Sequence, residues 1–324
     1  MTQDKSHPFD DIRKLVANLP TGNLDAAKHV ADKIDRALVG LKPLGQLDKT
    51  IAWLAQWQGT HQPAISKPLV SVFIGAHQVA RSILGADPIA GARARVESLS
   101  SGSASVRGIA GAESAFFKVF EMGIEAPAAD MRIEPSLSER DCAAAIAYGM
   151  EVVAEDCDII VIGCAGFGTA TAAAGISRGL FGGTASYWAG GDGSHVAMHI
   201  EAVEMAATTH KNILDDPLEI LRCFGGRDIA GMVGAILAAR HQKIPVLLDG
   251  YAVCAAAAVL HALNPDALDH CVAAQITAEP AHGALLDRIA MKPLLNLGIG
   301  IGDGSGAALA LGLIRAAAAG AREL

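Results

Sequence analysis

Residues 159–174 read Ile-Ile-Val-Ile-Gly-Cys-Ala-Gly-Phe-Gly-Thr-Ala-Thr-Ala-Ala-Ala, and this stretch decides the fold class. The four β-branched residues form a short continuous apolar run, the pattern of a strand buried on both faces. Gly163, Gly166 and Gly168 then punctuate a turn, and the Thr/Ala run that follows has the composition of a helix start. The uncharged segment Ile159 to Ser177 approaches the length of a membrane span. Its glycines divide it into strand, loop and helix, so a spanning helix is not expected.

Similar apolar runs lie at residues 69–74 and 245–248, each closing on glycine or Asp-Gly. Ala-rich helical patterns are expected at about 93–119, 138–154, 194–209, 227–241, 251–262 and 305–323. Strands that alternate with helices predict an α/β fold, a doubly wound and mostly parallel sheet with flanking helices. Residues 180–193, with five glycines and no periodicity, read as a functional loop. Upstream, Ile12, Leu15, Val16 and Leu19, then Ala27, Val30 and Ile34, then Leu47, Ile51 and Leu54 recur at helical spacing. The expected division is a small helical subdomain from residues 1–62 joined by the final helix at about 305–324, and an α/β domain over 63–304.

Composition narrows the function. The 324 residues are 51% hydrophobic but only 4% aromatic, with 35 Gly, so the core must form from closely approaching helices. A net charge of −8 without a Lys/Arg block argues against nucleic acid, and the polar, acid-bearing N-terminus argues against a signal peptide, which points to a cytoplasmic protein. Cys142, Cys157, Cys164, Cys223, Cys254 and Cys271 contain no C-x-x-C and read as reduced, mostly buried thiols. No metal site is expected.

In an open parallel sheet, ligands bind beyond the carboxyl ends of the strands. That rule selects four places: the loop after Ile162, the Leu-Leu-Asp-Gly-Tyr turn at 247–251, the segment 275–283, and the Gly-rich run 297–310. Gly166, Gly168 and Thr171 nearly fit the dinucleotide fingerprint G-x-G-x-x-G, but no strand with a terminal acid follows at the required distance.

Taken in order, LGQLDKTIAWLAQWQG (44–59), DPLEILRCFGGRDIAGMVGAILAA (216–239), IPVLLDGYAVCAAA (244–257), TAEPAHG (277–283) and LNLGIGIGDGSGAALAL (295–311) resemble the nicotinate-nucleotide–dimethylbenzimidazole phosphoribosyltransferase family. The resemblance implies transfer of 5-phosphoribose from nicotinate mononucleotide to an aromatic base, without metal or cofactor, by a homodimer in which the helical unit closes the partner's cleft. The family's catalytic Glu, within G-E-G-T-G, falls on Asp303 within Gly-Asp-Gly-Ser-Gly. Asp303 is thus implied to be the general base; the alternative is that it N-caps the last helix, for which Ser305 is an equally good cap.

The family's phosphate-side loop, G-E-M-G-I-G-N-T-T-A, aligns with residues 163–172. This implies that Gly166, Gly168, Thr169 and Thr171 hold the nucleotide, while Cys164 stands in place of the Glu. Gly190 and Asp192 match the family's T-G-L-D segment, and His199 stands where a Lys is expected, either contacting phosphate or serving structure. Thr277 matches a phosphate-contacting hydroxyl and is also a potential helix cap. Glu279 belongs to the same motif, and Asp249 and His77 sit at strand ends that open on the cleft. A non-catalytic relative that binds a nucleotide or a protein partner is the alternative reading.

Overall fold

The computed structural model describes residues 7–37, 44–154, 156–191 and 193–324. Helices α1 (Asp10–Ala17), α2 (Leu24–Ala37) and α3 (Gln46–Gln58) precede β1 (Pro68–Ile74). There follow α4 (Val79–Leu84), α5 (Pro88–Ser101), α6 (Ser105–Ala112) and β2 (Phe116–Glu121), then α7 (Glu139–Gly149) and β3 (Ile159–Cys164). The next group is α8 (Thr169–Phe181), α9 (Ala185–Ala189), α10 (Val196–Thr209), α11 (Pro217–Phe224) and α12 (Arg227–His241). The chain closes with β4 (Val246–Leu248), α13 (Tyr251–Leu263), β5 (Cys271–Ala273), α14 (Pro280–Arg288) and α15 (Ser305–Glu323).

The five strands form one sheet in the order β2-β1-β3-β4-β5, and every pairing is parallel. Alternation along β1 shows why its run is unbroken. Leu69 and Phe73 join the core on one face, whereas Val70, Val72 and Ile74 join the core on the other. Ile160 and Ile162 of β3 take the first face, and Ile159 and Val161 take the second. Ser71, fully buried in β1, donates from Oγ to Val161 O at 2.7 Å, so its hydroxyl is satisfied inside the sheet.

Helix packing accounts for the scarcity of rings. A Cβ on Gly149 of α7 would lie 1.9 Å from Gly231 O of α12, and one on Gly234 of α12 would lie 1.9 Å from Ile146 O of α7. The two backbones touch, and only hydrogen fits at those crossings. Val30 and Ile34 of α2, Ile51 and Ala55 of α3, and Ala317 and Ala321 of α15 form a separate small cluster. Helix α1 packs elsewhere, with Ile12 and Val16 in the core of the first sheet face and Arg13 paired to Asp216 at 2.5 Å.

Three sequence expectations need correction. The helix expected at 93–119 is two helices, α5 and α6, followed by the edge strand β2. Gly102, at φ 83°, terminates α5 in the left-handed region, and the Phe/Val alternation of Phe116–Glu121 is completed only by pairing with β1. Residues 180–193 are not a structureless loop: α8 runs to Phe181, and Thr184 caps the short α9 by accepting from Tyr187 N at 3.2 Å. The buried Trp188 anchors that helix, its Nε1 donating to Gly182 O at 2.7 Å. The helix expected at 138–154 ends at Gly149 and tightens into a 3₁₀ turn over Met150–Ala154. Strand β5 had no expectation at all.

Candidate active site

In this strand order the direction of winding reverses between β1 and β3, so their carboxyl ends diverge and leave a crevice. A cleft of two adjoining lobes opens beyond the carboxyl ends of β3, β4 and β5, with α5 on one side. The first lobe, about 410 Å³, is lined by Ala170 and Thr171, by Gly190 and Gly191, by His195 and His199, and by Pro280 and Ala281, among others. The second, about 460 Å³, is lined by Arg95, Ser98 and Leu99, by Cys164 to Gly166, and by Gly300 to Asp303.

Four helices, α8, α10, α13 and α14, present their first turns to the first lobe through Thr171, Val196, Tyr251 and Pro280. None of their cap residues, Gly168, His195, Gly250 and Glu279, makes a side-chain capping bond. The first lobe therefore collects the positive ends of four helices, with the Glu279 carboxyl at its border with the second lobe, and this suits the rest of the lobe to an anion.

Thr171 Oγ1 lies 2.6 Å from His199 Nδ1 at this lobe. Burial, and then the neighbouring His195, push His199 below the ordinary histidine value. His199 is thus biased toward the neutral ring, which can still donate one N–H.

Behind the glycine loop stands a buried group that sequence reasoning missed. Asp228 is fully buried in the first turn of α12, with His77 Nε2 at 3.0 Å from Oδ1 and Thr169 Oγ1 donating to Oδ2 at 2.5 Å. Its Oδ1 also accepts from Ile229 N at 2.9 Å. Burial pushes the Asp228 carboxyl up, but His77, Thr169 and the Ile229 amide more than offset it, so its pKa falls below the ordinary aspartate value. A Cβ on Gly166 would stand 2.1 Å from Asp228 Oδ2 and 2.2 Å from Thr169 Oγ1, so the loop seats directly on this anion. Gly168, at φ 88°, lines neither lobe and turns the chain into α8.

Asp303 lines the second lobe and also accepts from Ser305 N at 3.0 Å through Oδ1. Its segment is fixed from two sides: Cys164 N donates to Gly302 O at 2.7 Å, and Gly304 N donates to Asp249 Oδ2 at 2.7 Å. Asp249 does not line the cleft. It is fully buried behind it, also accepting from Gln275 Nε2 at 2.6 Å. Burial drives its pKa up to about 7 against those hydrogen bonds, and the charge of Asp303 adds to the rise.

Thr277 likewise lies behind the wall: its N–H donates to His282 Nδ1 at 2.9 Å, and its hydroxyl lies 2.9 Å from the same atom. Glu279, not Thr277, caps α14. Cys164 lines the second lobe, with its Sγ 4.0 Å from Asp228 Oδ2; burial and then that carboxylate push the thiol well above its ordinary value, so it is a neutral group. His77 is buried with Asp228 and lines neither lobe. Asp192 lies outside the described residues.

Two further lining residues escaped the sequence reading. Arg95 of α5 faces the second lobe, its NH1 donating to Ala165 O at 3.0 Å and to Gly166 O, with its guanidinium 5.1 Å from the centre of the Phe167 ring. Tyr251 opens α13 at the junction of the lobes. The Asp-Gly-Tyr turn was a signal for Tyr251, while Arg95 sat inside an expected helix that gave it no direction.

An open parallel sheet with helix N-termini gathered on one lobe beside a lobe bearing a carboxylate defines an α/β protein of the kind that binds small ligands beyond the carboxyl ends of its strands. Residues 19–324 match the DBI_PRT phosphoribosyltransferase family, and the chain belongs to that family. It is 44% identical over 315 residues to the nicotinate-nucleotide–dimethylbenzimidazole phosphoribosyltransferases of Brucella melitensis biotype 1 and Brucella suis biovar 1, covering 96% of this chain and 93% of each relative. The crystal structure of CobT from Thermus thermophilus superposes with a TM-score of 0.85 at 25% identity, covering 92% of this chain and 96% of that one.

Proposed function

We propose that the chain transfers 5-phosphoribose from nicotinate mononucleotide to 5,6-dimethylbenzimidazole or a related aromatic base, releasing nicotinate. The observation that carries this reading is the four helix N-termini gathered on one lobe, joined to a second lobe that holds Asp303. A ribose 5-phosphate bound with its phosphate in the first lobe directs C1′ toward the second. There the base nitrogen attacks C1′ on the face opposite nicotinate, and nicotinate departs with the bonding electron pair, leaving an α-ribotide.

Asp303 is the proposed base. As the new N–C1′ bond forms, the acceptor's N–H proton passes to its carboxylate, and the negative charge also favours the oxocarbenium character that develops at C1′. One Asp303 oxygen accepts from Ser305 N; the other has no hydrogen-bond donor among the described residues. Gly166, Thr169, Thr171, Gly190, Asp192 and His199 are the proposed nucleotide contacts, with Gly168 and Thr277 shaping them from behind. With Thr171 donating to Nδ1, His199 keeps its Nε2–H for phosphate.

The helical unit of residues 1–62 with 305–324, from which α1 departs to pack on the first sheet face, the α/β domain of 63–304, a homodimer and a cytoplasmic setting belong to the same proposal. Leu309 and Leu313, exposed one turn apart on α15, support self-association. No helix among the described residues is long and apolar enough to cross a membrane.

The test is incubation with nicotinate mononucleotide and a panel of benzimidazoles, purines and phenols. Stoichiometric nicotinate and ribotide are expected. Saturable nucleotide binding with no turnover on any acceptor would instead identify a non-catalytic relative, and a monomer by light scattering would remove the dimer.

A further inference from the structure

Among the described residues, the two lobes share only Ala170, Tyr251, Glu279 and Gly300. A ligand whose phosphate lies in one lobe and whose base lies in the other must carry its ribose across this shared wall. Ala170 and Gly300 offer no side-chain polar atom. The Tyr251 hydroxyl is already engaged, contacting Ser177 Oγ at 3.1 Å and Trp188 O at 3.2 Å in a buried position.

Glu279 is different. It occupies the cap position of α14, yet its carboxylate makes no capping bond to its own helix. Its one short-range donor is Thr277 Oγ1, at 3.5 Å from Oε2, beyond ordinary O–H···O range. The neighbouring His282 binds the Thr277 amide instead, so Glu279 is left with nearly its full accepting capacity turned to the cleft.

We infer that the Glu279 carboxylate binds the ribose hydroxyls of the donor, fixing the sugar between the phosphate lobe and the base lobe. Burial in the cleft wall pushes the pKa of Glu279 up to about 7, as befits a carboxylate short of donors, and a vicinal pair of hydroxyls supplies them. Among the side chains of the junction Glu279 holds the most unused hydrogen-bonding capacity, so recognition of ribose over deoxyribose is assigned to this residue. The assignment rests on nicotinate mononucleotide being the donor.

The experiment is a double cycle on kcat/KM with nicotinate mononucleotide and its 2′-deoxy and 3′-deoxy analogues, using wild type, Glu279→Gln and Glu279→Ala. Intrinsic differences in donor reactivity cancel within the cycle. Wild type should prefer the ribose donor over at least one analogue by about 10- to 100-fold more than Glu279→Ala does, with Glu279→Gln between them because its amide oxygen still accepts. Inorganic phosphate should bind all three proteins equally, which shows that the cleft is intact. Unchanged discrimination in Glu279→Ala, or lost phosphate binding in both variants, overturns the assignment while the donor stands. No nicotinate release by wild type overturns the donor itself, and the assignment with it.

Discussion

Replacing Asp303 by Asn and by Ala separates its two duties. Asp303→Asn preserves the shape of the side chain and a carbonyl oxygen where Oδ1 accepts from Ser305 N at 3.0 Å, so α15 keeps that bond. Asp303→Ala removes it, at a cost of about 1 kcal/mol, or about 2 °C in a chain of this size. The catalytic consequence is larger and shared. Loss of a general base costs about a hundredfold or more in rate, some 2.7 kcal/mol of barrier. Both variants should therefore retain at most a few per cent of wild-type kcat, with only Ala showing the lowered Tm. A second signature follows from the buried neighbour, because the charge of Asp303 helps to raise Asp249. In Asp303→Asn the Asp249 carboxyl should titrate below about 7, as read by carboxyl-labelled NMR. Nicotinate release by Asp303→Asn at a near-wild-type rate, with Asp303→Ala merely less stable, would show that the residue braces the chain ahead of α15, whose cap is Gly304, and is not a base.

Gly166→Ala forces a methyl carbon onto Asp228 and Thr169, so it should cost about 1–3 kcal/mol by chemical denaturation and abolish nicotinate mononucleotide binding by calorimetry. Normal binding would mean that the loop is not the nucleotide's seat. Asp228→Asn should destabilise the fold by about 3–5 kcal/mol near neutral pH. Because the folded-state pKa of Asp228 is depressed, its stabilisation is complete above the unfolded value of 3.8 and fades as pH falls through the lower folded value, so wild type and variant should converge in acid. Asp249 and Glu279 carry the opposite sign: each is raised to about 7, so the folded state holds extra protons and stability should decline as pH rises from about 4 to about 7. A wild-type profile in which Glu279→Gln removes none of that slope would contradict the cleft-wall burial. Cys164→Glu together with His199→Lys should raise turnover with dimethylbenzimidazole if that is the native acceptor, and lower it on a different acceptor that wild type prefers.

The sheet was legible where its strands are buried on both faces, because 159–162 is an unbroken β-branched run and 69–74 is interrupted only by Ser71, each short and closed by glycine. Strand β2 was not. As the edge strand it carries Lys118 and Glu121 among its aromatics, exposes Phe116, and follows Ala/Gly-rich helices whose composition masks the change of period. Strand β5 has three residues, too few for any periodicity. At the cleft, Gly166, Thr171, His199, Glu279 and Asp303, all lining residues, were named through the family resemblance, whose motifs fall near strand ends and helix starts. Asp228 could not, since its partners His77 and Thr169 are 151 and 59 positions away and an acid in a first helical turn has a sufficient local explanation. Asp249 and Thr277 were located correctly along the chain, but a strand-end rule does not distinguish the residue lining a cleft from the one bracing it.

The two lobes depend on sequence in different ways. The phosphate lobe takes its positive character from the backbone of four helices, and no side-chain substitution removes a helix N-terminus. It can thus hold a phosphorylated ligand with a near-neutral His199 as its side-chain contribution. The second lobe takes its polarity from three side chains, Arg95, Glu279 and Asp303, around a neutral Cys164. Changes at Cys164, Arg95 and Asp303 alter which aromatic base fits and how its proton is taken, whereas Glu279, which borders both lobes, also bears on the donor. Affinity for the donor should therefore survive substitutions at Cys164 and Arg95 that shift the choice of acceptor.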